Sequence, residues 1–152
     1  MANYRGICAA GNKGGFMQAF GNICGDFDTV TPSAALALND TVDLVLVPAG
    51  TQLLELFKVN GDCDTGTTLQ YSLGYRTAQA DGVLQASTNY FGSALTDLQA
   101  AVTGANPTRY NFAPITFNED VYITATITAA ATGVSGTPSI TTQYRGIARG
   151  SK

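Results

Sequence analysis

Residues Val121 to Thr128, VYITATIT, alternate strictly: Val121, Ile123, Ala125 and Ile127 fall on one side, Tyr122, Thr124, Thr126 and Thr128 on the other. A strand repeats its side-chain direction every two residues, so this segment reads as a strand with one apolar face and one solvent-compatible threonine face. Such a strand buries one face only when other strands supply the opposite layer, and the chain offers them. Leu69, Tyr71, Leu73 and Tyr75 alternate with Gln70, Ser72, Gly74 and Arg76 in the same way.

Val42 to Val47 is an almost continuous β-branched and apolar run that stops at Pro48 and Gly50, a strand followed by a turn. The stretch TQLLELFKV is the next strand, with Leu53, Glu55, Phe57 and Val59 assigned to one face and Leu54 and Leu56 to the other. Further strands are expected in GVLQAST, in RYNFAPITF, where Pro114 marks an edge or bulge, and in PSITTQYRGIAR. Phe91, Ala94, Leu95, Leu98 and Val102 fall at helical spacing, which predicts one short helix between Ser93 and Gly104. Many short strands with turns between them and a single short helix predict a mainly β fold: a jelly-roll-like antiparallel β-sandwich.

The segment 1–30 is different, holding many glycines with isolated apolar residues between them. It has a high ordering cost and little to bury internally, so it reads as an extended N-terminal arm or as irregular strands lying on something else. Residues 31–152 form the sandwich in this division. Tyr4-Arg5-Gly6-Ile7 recurs as Tyr144-Arg145-Gly146-Ile147, but a four-residue match with no longer repeat around it does not indicate a duplicated domain.

Composition removes several functions. The chain has no histidine, and with it go the commonest general base and the commonest imidazole metal ligand. Cys8, Cys24 and Cys63 are odd in number and lack a C-x-x-C spacing, so neither a disulfide framework nor a zinc site is indicated. A net charge of −3 with only 8 scattered basic residues argues against a nucleic-acid partner. Arg109, Arg145, Arg149 and Lys152 gather toward the C-terminal end, a solvated tail in preference to a weak patch for an acidic partner. No secretory signal and no run of about 18 apolar residues is present, so no membrane partner is expected.

The loop GDCDTG holds the remaining candidate chemistry. Asp62, Asp64 and the Thr65 hydroxyl, with backbone carbonyls, supply about half of the roughly six to eight oxygens calcium takes, so turn-capping is the preferred reading and calcium the minor one. Cys63 between two carboxylates is expected to be a poor thiolate. Glu119 and Asp120 are adjacent and would point to opposite faces of a strand, and Glu55 is better read as a buried or interface position than as a glycosidase acid. With no nucleophile elbow, phosphate loop or dinucleotide fingerprint, no catalytic residue, metal or cofactor is assigned.

The order of DLVLVPAGTQLLELFKV, the D-x-D-T-G turn and TTLQYSLGYRT resembles the capsid decoration, or cement, proteins of tailed bacteriophages. The resemblance continues through NYFGSALTDLQAAVTG, APITFNEDVYITATIT and GTPSITTQYRG, covering roughly residues 40 to 148. It implies a jelly-roll-like sandwich on the outer surface of an icosahedral shell, a homodimer or homotrimer that bridges and stabilises neighbouring major capsid subunits. It implies no cofactor, and a protein made in the host cytoplasm. Candidate contact residues come from this chain alone: the arm aromatics Tyr4, Phe16, Phe20 and Phe27, which have no local core, and the polar Arg5 and Arg145. The alternative is a carbohydrate-binding or host-attachment β-sandwich module, with a carboxylate hydrolase a distant third.

Overall fold

The computed structural model describes residues 3–5, 23–102, 104, 106–134, 136 and 138–148. Its strands are β1 (Asn3–Arg5), β2 (Ile23–Val30), β3 (Thr41–Val47), β4 (Thr51–Asn60), β5 (Gln70–Thr77), β6 (Ser87–Leu95), β7 (Thr108–Tyr110), β8 (Ile115–Thr116), β9 (Val121–Ala129) and β10 (Ile140–Ala148). One sheet has the order β1-β3-β9-β5-β6 and the other β2-β10-β4-β7, with β8 also pairing β4. Setting aside the short β1 and β8, consecutive strands are divided between two four-stranded sheets in the order of two interlocked Greek keys. The predicted jelly roll is the observed fold. β1 adds a short parallel edge beside β3, with Tyr4 opposite Val42 and Arg5 opposite Asp43.

The core lies between the sheets. Val42, Val45 and Val47 from β3, Leu73 from β5 and Ile123 and Ile127 from β9 meet Leu53 and Leu56 from β4 and Ile140 and Tyr144 from β10, all essentially fully buried. Burying such side chains is worth about 1.5–3 kcal/mol each, the main favourable term for a domain with little charge to offer. Both alternations read from the sequence hold on this inner face.

The outer face of β9 departs from expectation. Tyr122 and Thr124 are buried, and only Thr128 at the far end is exposed. Their cover is an ion pair: Arg76 donates from Nε to Asp43 Oδ1 at 2.9 Å and from Nη2 to Oδ2 at 2.6 Å. The guanidinium lies 5.2 Å from the Tyr122 ring, and Thr124 donates to the same carboxylate. These hydrogen bonds hold the Arg76 pKa above its usual value.

The helix predicted between Ser93 and Gly104 shrinks to one 3₁₀ turn, Asp97–Gln99, which buries Leu98. Phe91 and Leu95 belong to β6 instead. The misleading spacing comes from bulges: β6 pairs with β5 as Leu95 opposite Tyr71, Gly92 opposite Leu73 and Ser87 opposite Tyr75, so it inserts residues that its neighbour lacks. Ala94 adopts a positive φ of 52°, which no right-handed helix accommodates. Likewise residues 82–86 of the expected GVLQAST strand form a loop, held by Glu119, whose Oε1 accepts from the Val83 amide at 2.9 Å and whose Oε2 accepts from Leu84 and Thr77. The adjacent Asp120 accepts from the Ala49 amide, so both carboxylates fasten loops.

Gly74 sits where the β5–β6 ladder is most compressed: a Cβ there would overlap the Ser87 carbonyl oxygen. Gly74→Ala is therefore expected to cost about 2 kcal/mol or more in urea denaturation. Gly104→Ala, with no atom within 4 Å of the added carbon, should change stability little.

Candidate contact face

The outward face of the β2-β10-β4-β7 sheet gathers the side chains with the most to offer a partner. Its arrangement depends on one irregularity in β4. Glu55 pairs with Arg145 of β10, but the next partner along, Gly146, pairs with Leu53, so Leu54 is an extra residue and β4 bulges there. Gly146 permits the close approach, since a Cβ would stand 2.7 Å from the Gln52 carbonyl oxygen. Beyond the bulge the parity is inverted. Leu53, Leu56, Lys58 and Asn60 point into the core, while Glu55, Phe57 and Val59 point out. The sequence reading, which put Leu53 on the face of Phe57 and Val59, is corrected by that one residue.

Register then places the outer row. Phe27 of β2 and Phe57 of β4 both pair with Gln143 of β10, and Phe57 also pairs with Arg109 of β7. The Phe57 ring lies 5.0 Å from the Arg109 guanidinium and 5.7 Å from that of Arg145. Such cation–π contacts are worth about 0.5–1 kcal/mol at an exposed site and fix the direction of each fork. Arg145 Nη1 also stands 3.6 Å from Glu55 Oε2, a loose pair with both side chains about half exposed, 58% and 48%. Thr29 and Thr141 are hydrogen-bonded through their hydroxyls at 2.9 Å one row away. Phe27, Glu55, Phe57, Arg109, Thr141, Gln143 and Arg145 line a groove of about 470 Å³. Phe27 is 53% exposed and Ile23, on the same edge strand, 77%.

Of the residues singled out from the sequence, the fold therefore unites Phe27 and Arg145 on one surface and adds Arg109 to them. Tyr4 and Arg5 lie in β1, on the edge of the other sheet. Phe16 and Phe20 lie outside the described residues, as do Cys8, Arg149 and Lys152. Sequence reasoning missed Phe57 and Gln143 as members of the face. The bulge hid Phe57, because strict alternation sends it to the core.

Behind this face the same strand buries a cation. Lys58 Nζ, 1% exposed, pairs with Asp97 Oδ2 at 2.7 Å, donates to Asn60 Oδ1 at 2.8 Å and lies 5.4 Å from the Tyr71 ring centre. Tyr71 donates to Asp97 Oδ1 at 2.7 Å, and the Tyr110 hydroxyl, 2.8 Å from that of Tyr71 and 3.3 Å from Asp97 Oδ2, divides its one proton between them. Asn60 Nδ2 donates to the carbonyls of Gly61, Asp97 and Ala100. Burial pushes the Lys58 pKa down against the pull of Asp97. Burial would raise Asp97, but the Lys58 charge and the hydroxyl donors outweigh it and hold that carboxyl below its usual range. Burial and the neighbouring carboxylate raise both tyrosines.

The Asn60–Arg76 segment is the bend that delivers β5. Asp64 accepts from four backbone amides: Gly66 and Thr132 on Oδ1, at 3.0 and 2.7 Å, and Thr68 and Leu69 on Oδ2, both at 2.9 Å. Burial alone would raise its pKa, but these donors prevail and bring it to about 2. A carboxylate ringed by N–H groups presents no lone pair to a cation, and Asp62 is turned to cap the Asp64 amide. Among the described residues no group of three His, Cys, Asp or Glu side chains is placed to hold a metal ion. Burial raises the Cys63 thiol to about 11, with Asp62 and Asp97 as smaller contributors and the Lys58 charge opposing. Its weak thiolate character is mainly a burial effect, less the electrostatic one expected from its neighbours in sequence.

No protein-family model and no curated protein matches the chain. Among solved structures, it superposes on a chain of the capsid of Ralstonia phage GP4 with a TM-score of 0.72 at 16% identity, covering 99% of this chain and 100% of that one. A chain of the Cyanophage Pam1 capsid asymmetric unit matches with a TM-score of 0.64 at 17% identity, over 89% of this chain and 91% of its own. The fold is one found in phage capsids. At these identities the similarity is one of backbone architecture, so the groove residues are read from this chain alone.

Substitutions at Lys58, Asp97 and Asp64 test the polar groups that hold the fold. Lys58→Met leaves Asp97 without its cation and should cost about 3–5 kcal/mol in chemical denaturation, with much of that recovered in Lys58→Met/Asp97→Leu. The folded-state pKa of Asp64 lies below its unfolded value of about 3.9. Its contribution is thus complete above about pH 5 and disappears as the pH falls toward 2. Thermal melts should show wild type well above Asp64→Asn at neutral pH, with the gap closing across that acid window.

Proposed function

We propose that this chain is a structural protein of a phage virion that binds the outer surface of the head and bridges and stabilises neighbouring major capsid subunits. The observation that carries the reading is the end-to-end match of its jelly roll to a chain of a phage capsid, covering 99% of one and 100% of the other. The chemistry agrees with it. The face with most to offer is a broad sheet surface carrying exposed aromatic and guanidinium groups, the composition enriched at protein interfaces. Among the described residues the polar clusters are committed to hydrogen bonds that fasten the fold, as at Asp64, Lys58 and Glu119.

In this reading residues 1–22 serve as a contact arm, with Tyr4, Arg5, Phe16 and Phe20 engaging the shell or a neighbouring copy in a homodimer or homotrimer, while residues 23–30, given to the arm by the sequence division, form β2 of the sandwich and present Phe27 from there. Individually weak contacts become strong because one decoration touches several fixed subunits at once. Synthesis in the host cytoplasm precedes attachment. A carbohydrate-binding module is less well supported: two guanidiniums stand beside Phe57, where a sugar ring would have to stack.

The test is co-sedimentation of purified protein with phage heads that lack it, followed by heating of the loaded heads. Saturable binding at a fixed ratio to the major capsid protein, with heads that survive higher temperature, is the expected result. Absence of binding at every salt concentration overturns the reading. Deletion of residues 1–22, which leaves β2 in place, should weaken binding if the arm takes part.

A further inference from the structure

Resting on the reading above, we propose that the Arg109–Phe57–Arg145 groove is the docking site for an acidic, carboxylate-bearing segment of the shell protein. The charge distribution of the folded chain singles this place out. All 11 acidic residues fall within residues 23–148, together with only Lys58, Arg76, Arg109 and Arg145 as basic residues. Lys58 is committed to Asp97, and Arg76 to the fully buried Asp43. The other two cations both stand in this groove, within 6 Å of one phenyl ring, on a domain that is otherwise acidic. Arg145 has a loose partner in Glu55, and among the described residues no carboxylate is paired with Arg109.

A guanidinium stacked on an aromatic ring keeps its N–H edge available and loses little freedom when it grips a carboxylate in bidentate fashion. Two such forks, carried by the strands that flank Phe57 on either side, suit an extended segment with more than one acidic residue. Charge also narrows the occupant. The chain's own residues 1–22 carry Arg5 and Lys13 and no acidic residue, so they are repelled from this groove. A nucleic-acid strand would meet two cations and then a surrounding field of carboxylates, too few contacts to hold phosphate. A second copy of the chain remains the competing occupant, since its acidic surface satisfies the same requirement.

The experiment compares wild type with Arg109→Glu, Arg145→Glu and the double variant in co-sedimentation with heads lacking the protein, across a series of salt concentrations. Sedimentation velocity of each protein alone and thermal melts accompany it. The substituted side chains are exposed and lose only their contacts with Phe57 and the loose Glu55 pair, so the melts should fall by no more than a few degrees. The expected result is head binding weakened roughly 100-fold in the double variant, with each single variant intermediate and wild-type binding falling as salt rises. Arg109→Lys and Arg145→Lys should restore only part of the affinity, because a point charge lacks the fork. Wild-type and double-variant binding of equal strength overturns this assignment and leaves the virion reading standing. Loss of self-association in the double variant, with head binding unaltered per subunit, overturns it in favour of a second copy. Failure of wild type itself to bind heads removes the shell partner and the reading on which it rests.

Discussion

An ammonium group placed between two β-sheets must find acceptors within reach, and in this chain that requirement links the packing of the sandwich to the surface it presents. Lys58 is drawn inward by the bulge at Leu54 and is met there by Asp97, Asn60 and the face of Tyr71. The acceptors come from β4 itself and from the turn after β6, and Tyr71 and Tyr110 tie that turn to both sheets. The same step of parity that buries the lysine turns Phe57 outward, between Arg109 and Arg145. The buried network and the exposed groove are two sides of one strand, so an error in either would displace the other.

The carboxylates show a second constraint. A domain with so few charged residues has little surface polarity to spare, yet several of its acids are buried: Asp28, Asp40, Asp43 and Asp64. Asp64 gathers amides from the loop before β5 and from the loop after β9, and Asp40 accepts from the Ala37 amide. An anion in a site of low dielectric strengthens each such hydrogen bond, which is how long connections can be held without metal ions or disulfides among the described residues. Asp40 and Asp64 thus hold loops together, as Glu119 and Asp120 do, whereas Asp43 ties β3 to β5 through Arg76.

Legibility followed regularity. Where strands keep an unbroken period of two, as in β5 and β9, the sequence predicted both the element and its inner face correctly. Where a bulge adds a residue, prediction failed in a specific way: β6 acquired the spacing of a helix, and β4 exchanged its faces halfway along. The burial of Tyr122 and Thr124 was hidden for a different reason, because the Arg76–Asp43 pair that covers them joins residues 33 positions apart. Of the candidate contacts, Phe27 and Arg145 could be named as chemical types but not as neighbours.

The sequence by itself determined the architecture: alternating apolar residues in many short segments have no way to leave water except as two facing sheets, and the turns between them leave few orders in which to connect. It also determined what chemistry is missing, since a side chain the chain does not contain, such as histidine, has no role to play in any fold. Only the tertiary structure decided which side chains share a surface. Phe27, Phe57, Arg109 and Arg145 come from four strands spread over more than a hundred residues, and their meeting depends on hydrogen-bond register and on one bulge. Register is set by the summed packing of both sheets, a property of the assembled core that no local stretch of sequence carries.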